Sequence, residues 1–367
     1  CAAPGAGKSY FALDLARRLI AGLPWPDGSP QSAAGAAPAG TGANVIYVDA
    51  ESAPQILNDR AVAWGMDRSR LFPMVPPPGG VGRDGEDRPI YTVTTSTGAT
   101  LQARALVIGT GRAPLIPEPF DAVDSPRVFH LTRYLPALRE LAELGVAGPG
   151  DRAPRAVTVI GGSQSAVELT LDLARRFPRT TVTTLVRSLT LRQKDTSPFS
   201  EEGYFPDFTD YYYRASRERK DAVDAYLRLT NYSSADLDVL RELYRLIYEQ
   251  RLDDDQRVFV SGSRQVRGLE VGDDGVRLRV EELNTGVFEE HRADFVVLAT
   301  GFRDLGPAAH QERVPALMRG VAADFAFDDH GYLAVGQDYE VQPLGPDTPA
   351  LFLNGLCAFA LNVSVVF

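Results

Sequence analysis

The stretch VTVIGGSQSAVELTLDLARRF, Val157 to Phe177, decides the fold. VTVI is a short apolar run of the kind a buried strand uses. Two glycines follow, and the run from Gln164 to Phe177 predicts a helix. Strand, glycine turn and helix in that order are the context of a dinucleotide-binding βα unit, whose helix N-terminus receives a pyrophosphate. Gly161 would permit the tight turn, and Ala166 would let helix and strand approach. Gly162 and Ser163 complete the turn, with Ser163 standing where a second close-approach glycine is usual. Gln164 and Ser165 open the helix. A plain strand-to-helix turn without a ligand is the competing reading.

Working outward, Val182 to Val186 reads as the next strand, and Arg187 follows it. An NAD-binding unit places its ribose carboxylate near this point. An arginine there suits the 2′-phosphate of NADP instead, through a charge-assisted pair. Arg192 and Lys194 come soon after, so a solvated basic loop is the alternative. ALVIGTG (Ala105 to Gly111) and FVVLATG (Phe295 to Gly301) bracket the unit. Each reads as a buried strand ending in a Thr-Gly turn, with Gly109, Gly111, Thr300 and Gly301 at the bends. In flavoproteins with two dinucleotide domains, such turns mark the crossings between the FAD and NADPH domains.

Further strands are expected at Val45–Val48, Ile90–Thr94, Thr100–Ile108 and Gly275–Val280. Residues 200–255 read as mostly helical. Leu237, Leu240, Leu243, Tyr244 and Ile247 recur there at spacings of three and four, an amphipathic face. Strands alternating with helices predict an α/β architecture with parallel sheets. Leu23 to Asn44 reads as a flexible excursion, and VPPPGGVGRDGED (Val75 to Asp87) as a boundary.

The first residues carry a second motif. AAPGAGKS, Ala2 to Ser9, fits a phosphate loop with Ala2 in place of the usual first glycine. Gly5 and Gly7 would let backbone amides turn onto phosphate oxygens, Lys8 would reach the outer phosphates, and Ser9 would hold Mg²⁺ of a bound Mg-ATP. A glycine-rich helix cap is the alternative. GKSYFALDLARRLIAG, VIYVDAE and DRAVAWGMDRSRLF together resemble the start of a RecA-like ATPase of the replicative-helicase and RepA type. That resemblance covers residues 1–74 and implies that Glu51 orients the attacking water. The chain opens at Cys1 inside this motif, so it is expected to be a piece of a longer protein.

Composition bounds the rest. A length of 367 residues suggests two or three domains, at roughly 100–200 residues each. The net charge of −10 disfavours a nucleic-acid partner, which needs a basic surface. No apolar run reaches the roughly 18 residues of a membrane span. Two cysteines, Cys1 and Cys357, exclude a disulfide scaffold and a cysteine zinc site. No signal peptide is legible, and a cytoplasmic location is expected.

Residues from about 88 to 356 resemble the flavin-dependent N-hydroxylating monooxygenases, the ornithine and lysine N-oxygenases of siderophore biosynthesis. The matching stretches are ALVIGTGRAPLIP, VFHLTRYLPAL, VTVIGGSQSAVEL, DTSPFSEEGYFPDFTDYYY, LTNYSSADLDVLRELYRLIYEQRL, VVLATGF and LFLNGLC. The resemblance implies an α/β, two-dinucleotide-binding-domain flavoprotein-like fold. A Rossmann-type NADPH domain would span 118–300 with a helical insert over about 200–255. An incomplete FAD domain would comprise 88–117 and 301–367, after a partial P-loop segment (1–74) and a linker (75–87). It implies NADPH, FAD and O₂ as co-reactants and a terminal amine as substrate: ornithine, lysine or a diamine. NADPH reduces FAD, the reduced flavin captures O₂, and the amine becomes a hydroxylamine. By position, Gln164, Ser165 and Arg187 would lie along NADPH, and Asn231 would face substrate and nicotinamide. The FAD site reads as incomplete, because the family's opening strand and GxGxxN-type loop are replaced here by the P-loop segment. Members of the family often form homo-oligomers. A P-loop ATP-binding module, a non-catalytic NADPH-binding remnant, and a composite chain joined near residue 75 are the other readings.

Overall fold

The computed structural model describes Arg18 and residues 45–47, 71–73, 80–83, 89–94, 98–148 and 150–355. In chain order the elements are β1 (Val45–Tyr47), β2 (Leu71–Pro73), β3 (Gly80–Arg83), β4 (Pro89–Thr94), β5 (Thr100–Ala103), β6 (Ala105–Ile108) and β7 (Val128–His130). There follow α1 (Tyr134–Glu143), β8 (Ala156–Ile160), α2 (Gln164–Arg176), β9 (Thr181–Leu185), α3 (Pro198–Glu201), α4 (Pro206–Tyr213), α5 (Arg217–Asn231) and α6 (Leu237–Leu252). The chain ends in β10 (Val258–Ser261), β11 (Arg264–Gly272), β12 (Gly275–Glu282), β13 (Phe288–Ala293), β14 (Phe295–Leu298) and β15 (Ala350–Leu353). Two compact units result. One takes residues 1–113, 202–224 and 303–367, and the other takes 114–201 and 225–302.

The second unit is built on a parallel sheet in the order β10-β9-β8-β14-β7. Of its inner strands, β8 (AVTVI) and β14 (FVVL) are near-continuous apolar runs because both faces are covered, while β9 (TVTTL) adds β-branched threonines. Val157, Val159, Val182, Phe295 and Val297 pack with Leu138 and Leu141 of α1, Val167 and Leu171 of α2, and Leu243 and Ile247 of α6. The other face carries the antiparallel sheet β11-β12-β13, whose Val266, Val276, Leu278 and Val280 pack on Leu185, Val296 and Leu298. Burying one such large side chain contributes about 1.5–3 kcal/mol. Two polar groups at this core have clear partners. The Thr170 hydroxyl bonds to Thr184 at 2.6 Å and to the Ala166 carbonyl at 2.7 Å. Asp294 accepts the Arg155 and Ala156 amides at 2.6 and 2.9 Å, fixing the entry to β8.

The first unit holds the antiparallel sheet β3-β4-β5, the parallel pair β6 and β15, and the parallel pair β1 and β2. Tyr91, Val93, Ile108, Leu305, Met318, Phe325, Leu351 and Leu353 form its core. Two features differ from the sequence reading. Thr100–Ile108, expected as one strand, is divided at Arg104, and its halves join different sheets. Gly80–Arg83, inside the glycine-rich stretch read as a linker, is a strand paired with β4. It lies at a sheet edge, where glycine costs least.

Candidate functional site

Ligands of open α/β sheets bind at the carboxyl ends of the strands. Here Ile160 pairs with Leu185 on one side and Leu298 on the other, so the ends of β8, β9 and β14 lie side by side. The bend after β8 requires its glycines. Gly161 has φ +149°, and a Cβ on it would sit 2.3 Å from the Ala299 carbonyl oxygen. A Cβ on Gly162 would meet Val186 Cγ1 at 2.6 Å. The backbone therefore runs flush against both neighbouring strand ends. Ala166 is fully buried behind it, where a larger side chain would push helix from strand.

Ser163 is the N-cap of α2, with extended φ −110° and ψ −176°, and its hydroxyl makes no capping bond. Its carbonyl accepts the Ala166 and Val167 amides. Among the described residues, the N–H groups of Gly162, Ser163 and Ser165 donate to no acceptor. Three unsatisfied donors at a helix N-terminus, in a bend that excludes side chains, make an anion cradle. The donor set and the excluded Cβ positions fit a dinucleotide pyrophosphate.

Arg187 lies two residues beyond β9, is exposed, and makes no ion pair among the described residues. Val186 and Ser188 on either side of it are the side chains nearest Gly162. Arg187 thus belongs to the segment that borders the bend, and its side chain is exposed. Lys194, by contrast, is 3.8 Å from Asp236.

Gln164 does structural work. Its backbone N–H donates to the Ser234 carbonyl at 2.9 Å, its Oε1 accepts the Asp236 amide at 2.7 Å, and its Nε2 donates to Glu168 at 2.7 Å. The loop leaving α5 is thereby fastened to the first turn of α2. Asn231 is the last residue of α5, three residues before Ser234. The end of α5 and the bend after β8 are therefore joined through one hydrogen-bonded loop. Ala235 adds to the clamp, bonding through its backbone to Arg192 and Lys194 at 2.9 and 2.8 Å.

The Thr-Gly turns lie at the ends of β6 and β14. Gly111 has φ +68° and Gly301 φ +81°. Thr300 donates its hydroxyl to the Leu115 carbonyl at 2.5 Å, and Leu115 returns its amide to the Gly301 carbonyl at 3.0 Å. In the other unit, Arg303 donates its amide to Ala113, and Arg112 forms an ion pair with Asp304.

His130 is buried at the end of β7. Its Nε2 lies 2.9 Å from the Gly301 carbonyl, so Nε2 carries the proton. Nδ1 faces the Thr132 hydroxyl at 3.1 Å, and the ring meets Phe302 edge-on. Burial lowers its pKa, against the opposing pull of the Gly301 carbonyl. A cavity of about 450 Å³ opens between α1 and α2, lined by Leu131, Thr132, Tyr134, Ser165, Glu168 and Asp172 among others. His130 and the Ser234–Asp236 clamp were missed from sequence. The VFHLTRY and LTNYSSAD stretches carried them, without any spacing that reveals a contact across the fold.

Gly5, Gly7, Lys8, Ser9 and Glu51 lie outside the described residues. Among the described residues, no group of three or more His, Cys, Asp or Glu could hold a metal, and no helix is long and apolar enough to cross a membrane.

A parallel sheet with a glycine bend, paired crossing turns and a helical insert defines a dinucleotide-binding domain of the flavin monooxygenase type. The model of the L-lysine 6-monooxygenase/L-ornithine 5-monooxygenase family matches residues 81–304, and the chain belongs to that family. A second model, described as an AAA domain, matches residues 1–113. The chain is 33% identical over 255 residues to the L-ornithine N(5)-monooxygenase of Burkholderia cepacia, covering 69% of this chain and 54% of that protein. It is 26% identical over 263 residues to the putrescine N-hydroxylase of Shewanella oneidensis, covering 70% and 49%. A structure of the Kutzneria sp. 744 ornithine N-hydroxylase with reduced FAD, NADP⁺ and L-ornithine superimposes with a TM-score of 0.68 at 25% identity, covering 86% of this chain and 78% of that one. The chain spans about half the length of the curated relatives it matches.

Proposed function

We propose that this chain is the NADPH-binding part of an FAD-dependent N-hydroxylating monooxygenase acting on the terminal amine of ornithine or a related amine, in siderophore biosynthesis. The observation that carries the reading is the bend after β8, where three amides at the start of α2 donate to no acceptor among the described residues. The Gly162, Ser163 and Ser165 amides hold the pyrophosphate, and Arg187 grips the 2′-phosphate. Gln164 acts through the loop it fastens, setting where the end of α5 and Asn231 stand. Gly109, Gly111, Thr300 and Gly301 are proposed as backbone positions of the Thr-Gly turns that serve cofactor binding. FAD, when bound, supplies hydride acceptance and O₂ activation. The FAD site is proposed as partial, and the amine as ornithine, with lysine and diamines as the other candidates.

The test is the visible spectrum of the purified chain with and without added FAD, followed by NADPH oxidation and O₂ uptake with ornithine, lysine and putrescine. Amine-dependent O₂ uptake with retained flavin supports the hydroxylase. NADPH affinity without either supports a non-catalytic NADPH-binding remnant. Absence of NADPH binding overturns both.

The match of residues 1–113 to an AAA domain favours a second reading, a P-loop nucleotide-binding module of RecA-like type. It assigns Mg-ATP to Gly5, Gly7, Lys8 and Ser9, with Ser9 on the metal and Glu51 on the water. Mg-ATP affinity that survives Lys8→Ala would rule it out.

A further inference from the structure

Arg187 stands on a short segment that leaves β9, and residues 187–190 of it are exposed. Exposed connections are ordinarily loose and tolerant of change. This one is held from a distant part of the chain. Val186 donates its amide to the Ser261 carbonyl at 2.9 Å, and its own carbonyl accepts the Arg264 amide at 2.9 Å. The Ser188 carbonyl accepts the Ser263 amide at 2.8 Å. Both chain neighbours of Arg187 are therefore fixed by residues 261–264, the turn that joins β10 to β11.

Gly262 is the point of closest approach. A Cβ on it would lie 1.9 Å from the Leu189 carbonyl oxygen and 3.3 Å from the Ser188 carbonyl oxygen. Its φ is not positive, so glycine is required there by space alone. The turn itself is stiff. Ser263 is buried at φ +52°, and its carbonyl accepts the Leu283 amide at 2.8 Å. Arg264 forks onto Glu289 at 3.1 and 3.3 Å, and its Nη1 donates to the Gly262 carbonyl at 3.0 Å. The same nitrogen lies 3.3 Å from Glu282. The segment bearing Arg187 thus rests against a buttressed turn with no room for a side chain at the contact.

We propose that Gly262 is a positioning residue for nucleotide choice: the 261–264 turn fixes the backbone of Val186–Leu189 so that Arg187 meets the 2′-phosphate and NADPH is preferred to NADH. The inference rests on the proposed reading of Arg187 and names what sets its place. A binding group must be held within about 0.5 Å of its productive position. Relieving a Cβ at 1.9 Å from the Leu189 oxygen requires a backbone shift of about 1 Å, twice that tolerance. The amides at the start of α2 belong to a different strand end, so the pyrophosphate contact common to NADPH and NADH is spared.

Fluorescence titration of the full chain with NADPH and with NADH tests it. The ratio of the two Kd values is the readout, because a merely structural fault weakens both alike. Gly262→Ala should cut the preference for NADPH roughly tenfold, with circular dichroism confirming the fold. Arg264→Ala removes the side-chain support of the Gly262 carbonyl and should cut it roughly threefold. Ser263→Gly keeps the amide and suits φ +52°, so the preference should stay. A folded Gly262→Ala chain that keeps the full preference, or loses both nucleotides equally, overturns the inference. If that variant does not fold, the same results for Arg264→Ala overturn it. Arg187→Ala, run beside them, separates the two levels. If it alone abolishes the preference, the reading of Arg187 stands and the role of Gly262 falls; if it leaves the preference intact, both fall.

Discussion

Removing the Arg187 guanidinium separates NADPH from every other ligand of the bend. The side chain is exposed, stands two residues past β9, and pairs with no carboxylate among the described residues. Arg187→Ala therefore removes no internal contact, and stability should move by less than about 0.5 kcal/mol. A hydrogen bond to a charged group contributes about 1.5–3 kcal/mol, and each 1.4 kcal/mol is tenfold in affinity. NADPH binding should thus weaken roughly 10- to 100-fold. NADH has no 2′-phosphate, so its affinity should stay put, and the ratio of the two is the readout. Arg187→Lys keeps the charge without the planar fork and should fall between. Fluorescence titration with NADPH and NADH at low and moderate salt measures all of this without flavin. The NADPH increment should shrink as salt rises, because the pair is open to solvent. An equal loss for both nucleotides, or none for either, would refute the assignment of Arg187.

Three further outcomes follow from the same region. Gly161→Ala places a Cβ 2.3 Å from a backbone oxygen at φ +149°, and should cost at least about 1–3 kcal/mol, seen as a lower Tm together with lost NADPH binding. Gln164→Ala leaves the Asp236 amide without its acceptor, costs about 1 kcal/mol, and should speed hydrogen exchange at residues 232–236 more than in the sheet. His130 is held neutral, with its folded pKa below the ordinary 6.5, so its contribution is full above that value and is lost as pH falls toward the folded one. His130→Gln can still donate to Gly301 but cannot titrate, so the wild type should lose more Tm than the variant between neutral and mildly acidic pH; parallel curves would remove His130 from the account.

The parallel core of the second unit was legible because its residues obey local rules. Val157–Ile160, Gln164–Phe177, Val182–Val186 and Phe295–Leu298 appear within a residue or so as β8, α2, β9 and β14. Each is a short run of apolar and β-branched residues or an amphipathic helix. The antiparallel sheet β11-β12-β13 went unread except for β12. β13 reads FEEHRA, with charged residues on its outer face, and its pairing with β12 is a tertiary fact that no local period encodes. The division of Thr100–Ile108 was hidden for the opposite reason, since a continuous β pattern does not say where the chain changes sheets. The glycine bend after β8 was visible as a motif, yet the bonds that Gln164 makes were not. Its partners Ser234 and Asp236 lie about 70 residues further along the chain, so no local pattern announces them.

The two-unit build decides which experiments can speak for which part of the proposed chemistry. The parallel sheet is covered on one face by α1, α2 and α6 and on the other by β11-β12-β13, all from residues 114–201 and 225–302. The side chains that pack both faces come from that unit itself, so the bend and Arg187 should bind nucleotide whether or not FAD is present. NADPH affinity and its dependence on Arg187 therefore test the Rossmann-type site alone. Flavin retention and amine-dependent O₂ uptake test the assembled monooxygenase. A chain that binds NADPH through Arg187 yet retains no flavin would keep the family's nucleotide site and lack its chemistry. A chain that consumes O₂ with ornithine while Arg187→Ala leaves the NADPH dependence unchanged would keep the chemistry but move the nucleotide elsewhere. These two outcomes point in opposite directions, and a single pair of proteins, wild type and Arg187→Ala, separates them.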